Sequence, residues 1–421
     1  MEELLYYVWQ YKLFTSSPLE TTNHLPVEVI DSGLRNYSVG PTFLNAKLII
    51  DHTLWVGNIL VHGHHSGAPA DLSTKSLLQD SVILEVYAQV ESAKSDLCAT
   101  DDAIPKLILS LPPELIDRYV RLRDTRYQPH CSKSLLLVDK LRLHLWFEAL
   151  RVERLETKQT RLQELFESQN YLWEDIFFIA LARNFGFGIR GDVFERWAKS
   201  LPYRALDKHK DSLFQVEAIF FGLAGLLQTD PSDRYMRELQ DEFAFLSVKF
   251  NLNVADYPWI ARQFKPGNYP HVRLAQLAWF YSCQRTQLSN LLDSTRIDDV
   301  YKALDFKTSP YWQTHVIFGK EIASRDKVLT RQAKDLLIIN SVSPFLYAYA
   351  KHQNSQPKME LAIELLNQIK PENNYITRLW RAAHVGVDHA GDSQALIQLQ
   401  KEYCDKNRCL ACRIGYTVLT K

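Results

Sequence analysis

The sequence predicts a small α+β domain over residues 1–132 followed by a large all-α domain over residues 133–421. Two observations point there. Between residues 43 and 62 the side chains alternate with the period of two that a strand requires. Trp55, Gly57, Ile59 and Val61 fall on one face, and Val56, Asn58, Leu60 and His62 on the other. After Pro112-Pro113 the texture changes, and from Leu135 onward nearly every segment carries apolar residues at helical spacing.

Each element follows from such patterns. Residues 2–13 read as a helix. Phe43, Ala46, Leu48 and Ile50 mark a strand that ends at a polar Asp51-His52 turn, and the alternating run after it makes an antiparallel hairpin. Residues 82–88 and 107–111 are two further strands, with a short helix at 74–78 before them. In the second domain Leu143, Trp146, Phe147 and Leu150 share a stripe, continued by Leu155, Leu162, Leu165 and Phe166. Further helices are expected at 174–183, 213–227, 234–250, 272–283, 332–350, 358–369, 376–383 and 392–404, punctuated by breakers such as Gly186, Pro202, Pro258 and Pro371. No fixed internal period is present, so a solenoid repeat is not expected.

Composition narrows the function classes. The 421 residues balance 49 Lys and Arg against 49 Asp and Glu, so no overall field draws the chain to a polyanion and any such binding needs a local patch. One candidate runs through Arg121, Arg123, Arg126, Lys133 and Lys140, interleaved with Tyr119 and Tyr127 but offset by Asp117, Asp124 and Asp139. Glu2 and Glu3 stand where an export signal would carry basic residues. The apolar run at 218–227 is about half a membrane span, and the 6 cysteines are unevenly placed. The expectation is a cytoplasmic protein with no membrane partner.

Several stretches together resemble a known family. They are MEELLYYVWQYKLF, NYSVGPTFLNAKLIIDHTLWVGNILVH, DSVILEVY, ARNFGFG, VEAIFFGLAGLL, KPGNYPHVRLAQLAWF and KPENN with DSQALIQLQKEYCDKNRCLACRIG. On these the chain is similar to the bacterial domain-of-unknown-function family 2851. The family pattern, GPDF opening one strand and an acid-x-His closing the next, in turn resembles the PD-(D/E)XK nuclease core. That resemblance implies a restriction-endonuclease-like mixed sheet, in which carboxylates on adjacent strands hold a divalent cation for phosphodiester hydrolysis. Here the pattern is degenerate. Thr42 replaces the first acid, Leu60 the second, and only His62 matches; Gly67 and Ala68 replace a further acid and Trp, and Glu85 stands where a His is expected. The resemblance therefore implies a lost site, or one relocated onto Glu85 with help from Asp51, Asp80 and His62.

Other candidate sites stand beside it. His62, His64 and His65, with carboxylates such as Asp71, Asp80 or Glu85, could hold Zn²⁺ or Fe²⁺, or could be a polar strand end. Cys404, Cys409 and Cys412 carry the Cys-x2-Cys half of a zinc or iron–sulfur site but lack a local fourth ligand; His384, His389 or Cys283 could supply one, or the thiols are ordinary core residues. Lys265, Asn268, His271 and Arg273 could form an anion-binding surface at a helix start, or Arg273 could pair with a buried acid such as Glu217. The leading expectation is a non-catalytic binding or scaffolding protein whose partner is nucleic acid or another protein. The alternatives are a metal-dependent nuclease or phosphodiesterase with a relocated site, and a protein–protein adaptor acting through the helical domain.

Overall fold

The computed structural model describes residues 2–14, 18–36, 40–62, 81–88, 104–123, 129–169, 171–187, 191–259, 269–294 and 296–421. The chain forms two compact units. One comprises residues 1–146 and 399–421, the other residues 147–398. The C-terminal segment thus belongs with the N-terminal strands, a discontinuity that a linear division at 132/133 does not contain.

The first unit is built on a mixed seven-stranded sheet. Its strands are β1 (Leu19–Glu20), β2 (Pro26–Asp31), β3 (Leu34–Arg35), β4 (Phe43–Ile50), β5 (Thr53–His62), β6 (Val82–Ala88) and β7 (Lys106–Leu109). They run in the order β1-β2-β4-β5-β6-β7, with β3 also paired to β4. β4 and β5 are antiparallel, whereas β6 is parallel to both β5 and β7. Thr21 bridges to Leu107, and the Thr22 amide donates to the Lys106 carbonyl at 2.8 Å, so the two ends of the sheet meet and nearly close a barrel. β1 and β3 escape sequence reading because two-residue strands carry no period, and β2 escapes it because Val27 is its one buried residue.

The expected hairpin is present. Asp51 and His52 both adopt positive φ between the paired residues Ile50 and Thr53, a turn whose twist matches that of the flanking strands. The uneven spacing from Phe43 to Ala46 has a local cause. Asn45 sits at φ +56°, the register slips there, and the bulge returns Ala46, Leu48 and Ile50 to the buried face beside Phe43. Gly57 permits the next strand to approach, since a Cβ on it would lie 2.7 Å from the Ser81 carbonyl oxygen. The face assigned to Trp55, Gly57, Ile59 and Val61 is buried only towards its end: Ile59 and Val61 are in the core while Trp55 is exposed.

The helix Glu2–Gln10 buries Leu4, Leu5, Val8 and Trp9, and the Trp9 indole donates to the Ser32 carbonyl at 3.1 Å. At the other end of the chain Arg413–Thr420 packs on Pro113–Leu122, with Arg118 donating to the Leu419 carbonyl at 3.1 Å.

The second unit is helical around one aromatic-rich core. Phe177, Phe178, Trp197, Phe220, Phe221, Phe280 and Trp312 are all fully buried in it. The two stripes expected near its start are one continuous helix, Lys140–Gln169. The expected helix at 332–350 is interrupted: Arg331–Leu337 and Ser343–His352 flank a single π turn, Ile338–Val342. Helices at Trp173–Phe185, Leu213–Leu223, Arg234–Phe250, Pro270–Ser282, Gln356–Asn367 and Tyr375–Ala382 answer the remaining expectations within a few residues, and the run at 392–404 is Ala390–Gln398 continued by a π turn, Leu399–Cys404, whose residues belong to the first unit. No helix among the described residues is long and apolar enough to cross a membrane. The short helix expected at 74–78 lies outside the described residues.

Candidate functional site

The sheet brings the degenerate positions together. Leu60 on β5 is the register partner of Glu85 on β6, which is in turn the partner of Lys106 on β7. His62 is the partner of Tyr87. Residues two apart share a strand face, so Leu60, His62, Glu85, Tyr87 and Lys106 lie on one side of the sheet, and Ile59, Val61, Leu84 and Val86 are buried on the other. The His62 and Tyr87 rings stack at 4.5 Å, and the Tyr87 hydroxyl donates to Glu85 at 2.7 Å. Thr42, just before β4, accepts from the Val61 amide at 3.0 Å. Its hydroxyl is therefore a backbone latch between strands.

Two features of this face differ from the sequence expectation. Asp51 cannot join Glu85 in a relocated site. It caps the far end of the hairpin, and the seven residue steps from Thr53 to Leu60 span over 20 Å at about 3.3 Å per step. Lys106 was not anticipated. Its strand is short and its role emerges only from the β6–β7 register. His64, His65, Gly67, Ala68, Asp71 and Asp80 lie outside the described residues.

The C-terminal thiols have a neighbour that the sequence did not suggest. Cys131, preceding the 3₁₀ turn Ser132–Leu137, lies within electrostatic reach of Cys404, Cys409 and Cys412. Burial pushes the Cys131 and Cys404 thiols up, reinforced by the neighbouring sulfurs, and takes Cys409 to about 11 for the same reasons. Cys409 donates weakly to the Leu122 carbonyl at 3.6 Å. Among the described residues no three His, Cys, Asp or Glu side chains stand where they could hold a metal ion. Cys412 is buried and Cys131, Cys404 and Cys409 are half-buried, an environment that favours the protonated thiol.

Of the expected anion-binding surface, Arg273 and His271 are described, while Lys265 and Asn268 lie outside the described residues. Arg273 is 93% buried, donates to Gln276 at 2.8 Å and stacks 4.6 Å above the Phe187 ring. Burial pulls its pKa down to about 10. With Gln276, Arg325, Lys327 and Thr330 it lines a cavity of about 480 Å³, within the size range of small-molecule sites. His271 is drawn down to about 4 by burial among Phe221, Trp312 and Phe318. Glu217, the suggested partner of Arg273, instead accepts from Tyr235 and, at 3.3 Å, from Ser309.

A family model described as a protein of unknown function (DUF2851) matches residues 2–375. The chain belongs to the DUF2851 family. No curated protein and no solved structure matches it.

A further cleft in this DUF2851 chain was not anticipated. Arg154, Lys158 and Arg161 project from one face of Lys140–Gln169, at i, i+4 and i+7, towards Arg183 on Trp173–Phe185 and Glu195 on Gly191–Lys199. Their spacing is visible in the sequence as a basic stripe, but the facing groups come from elements that only tertiary packing places opposite it.

Proposed function

We propose that the protein is a non-catalytic binding or scaffolding member of its family, with a first unit derived from a PD-(D/E)XK-like core that has lost its metal site. The order supports a common origin: a helix and, after β1 to β3, an antiparallel hairpin followed by a strand parallel to its second strand. The observation that carries the reading is the pairing of Leu60 with Glu85. The metal chemistry needs two or more oxygen ligands converging on a hard cation, and the row formed by Leu60, Glu85 and Lys106 contains one carboxylate, set between an isobutyl group and an ammonium group. A retained phosphate-binding capacity would make nucleic acid a partner.

The alternative of a relocated phosphodiesterase site has one observation in its favour, the neighbouring Glu85 and Lys106 on adjacent strands. The adaptor alternative is favoured by exposed apolar residues at Leu136, Leu137, Leu141 and Leu145.

The decisive experiment incubates the full chain with single- and double-stranded DNA and RNA in Mg²⁺ or Mn²⁺, and measures oligonucleotide binding across a salt series. The expected result is no cleavage, with binding that weakens as salt rises. Cleavage abolished by Glu85→Gln would replace this reading with the relocated-site one; neither cleavage nor binding would leave the adaptor.

A further inference from the structure

The cleft beside Glu195 joins charge, shape and an irregular backbone in one place. Glu195 is 93% buried and its carboxylate receives three cations, Lys199 at 2.9 Å together with Arg161 and Arg183. Burial pushes this carboxyl up, but hydrogen bonds from Lys199, Arg161 and Arg183 outweigh burial and hold it down at about 2. At neutral pH it is an anion that anchors the arginines.

Each arginine commits one terminal nitrogen to Glu195. A guanidinium has five N–H donors in a planar fork, and both side chains remain about two-fifths exposed. Most of each fork is therefore available to the cleft. Arg154 and Lys158 extend the same wall, Arg154 donating to Gln394 at 3.4 Å and Lys158 to Asn340 at 3.1 Å and to Gln394 at 2.8 Å. The lining holds four cations against one carboxylate, a surplus of three positive charges in a chain with no net charge.

The lining continues on the π turn Ile338–Val342, which supplies Asn340 and Ser341; Asn184 donates to the Ser341 hydroxyl at 2.8 Å and to the Asn340 carbonyl at 3.1 Å. Single π turns inside α-helices are uncommon and concentrate at functional sites. Leu162, Leu165, Ile179 and Pro344 add apolar surface, and the open cleft has a volume of about 290 Å³.

We propose that this cleft binds the phosphate group of a small organic phosphomonoester, with Arg154, Arg161 and Arg183 on the phosphate and the organic part against Leu162, Leu165 and Pro344. A phosphomonoester carries about −1.5 to −2 charges at neutral pH and three acceptor oxygens, which suits several arginine forks at once. A carboxylate ligand would leave most of the surplus uncompensated. The volume suits a small ligand, and the apolar wall gives an organic substituent something that inorganic phosphate cannot use. The site lies wholly within the second unit and does not depend on how the sheet of the first unit is read.

Isothermal titration of the full chain with phenyl phosphate, inorganic phosphate, phenol and an oligonucleotide lacking terminal phosphates tests this. Phenyl phosphate should bind more tightly than inorganic phosphate, phenol should not bind, and the oligonucleotide should not compete. Losing one charge-assisted contact should weaken phenyl phosphate about tenfold or more in Arg161→Gln. Because Arg161 also holds Glu195, Arg154→Gln is the companion variant; it should weaken binding while melting at the wild-type temperature. Absence of phenyl phosphate binding, or equal affinity in wild type and both variants, overturns the proposal. Displacement by the oligonucleotide would reassign the cleft to phosphodiester backbone and equally overturn it.

Discussion

Glu217 makes the stability of the second unit depend on pH in an unusual direction. Its carboxyl is fully buried, and burial raises its pKa from 4.5 to about 7 against the opposing hydrogen bonds from Tyr235 and Ser309. The folded chain therefore keeps a proton that the unfolded chain releases. Stability from this group is fully present below about 4.5 and is lost as pH rises through 7. At about 1.4 kcal/mol per tenfold change in proton affinity, the whole effect is about 3 kcal/mol, of which about 2.5 kcal/mol falls between pH 5 and 8. Among the described residues, His271 and Asp175 also have shifted values that act in this range. His271, held near 4 by burial, loses stability as pH falls from about 6.5, and Asp175, raised to about 6 by burial, loses it as pH rises. Comparing wild type with Glu217→Gln cancels both. Urea unfolding at pH 5 and pH 8, followed by Trp fluorescence, should show a decline in stability about 2.5 kcal/mol larger in wild type than in the variant. The absolute stability of the variant can shift either way, because the new amide faces the buried Trp312 indole, so the pH slope is the readout. Parallel slopes in the two proteins would refute a neutral buried Glu217.

Further outcomes follow from other sites. Gly222→Ala should destabilise the second unit by about 1–3 kcal/mol in the same assay, since its Cβ would fall 2.2 Å from the buried Phe243 ring; an unchanged midpoint would mean that the helices Leu213–Leu223 and Arg234–Phe250 are less closely packed. Glu195→Gln should flatten the acid limb of stability, because this carboxyl, held down at about 2, contributes stability present above 4.5 and lost as pH falls towards 2; the contribution is about 2 kcal/mol once solvent screening of the exposed arginines is allowed for. Cys131, Cys404, Cys409 and Cys412 should react slowly with a thiol reagent at pH 8 until urea is added, as their raised pKa values keep them protonated. Elemental analysis of the same preparation provides the contrary outcome: one equivalent of zinc, lost in Cys131→Ser, would mean that the four sulfurs act as ligands.

Much of the architecture was legible from local pattern alone. Alternation over residues 43–62 is a property of neighbouring residues, so it located β4, β5 and their turn, and the family pattern marked Thr42, Leu60, His62 and Glu85 without any coordinates. Helical stripes located most of the second unit for the same reason, although they could not distinguish a continuous α-helix from one carrying a π turn at Ile338–Val342, where the apolar period barely changes. What the sequence could not determine is which distant groups face each other. Register across three strands put Leu60, Glu85 and Lys106 in one row; packing put Cys131 beside the C-terminal thiols. Likewise Arg154, Lys158 and Arg161 are a basic stripe in the sequence, and it is the positions of Arg183, Glu195 and Asn340 that turn the stripe into a cleft. Local preference is set within a few residues, whereas a site depends on side chains brought together across loops of any length, and only the burial of a common core decides that.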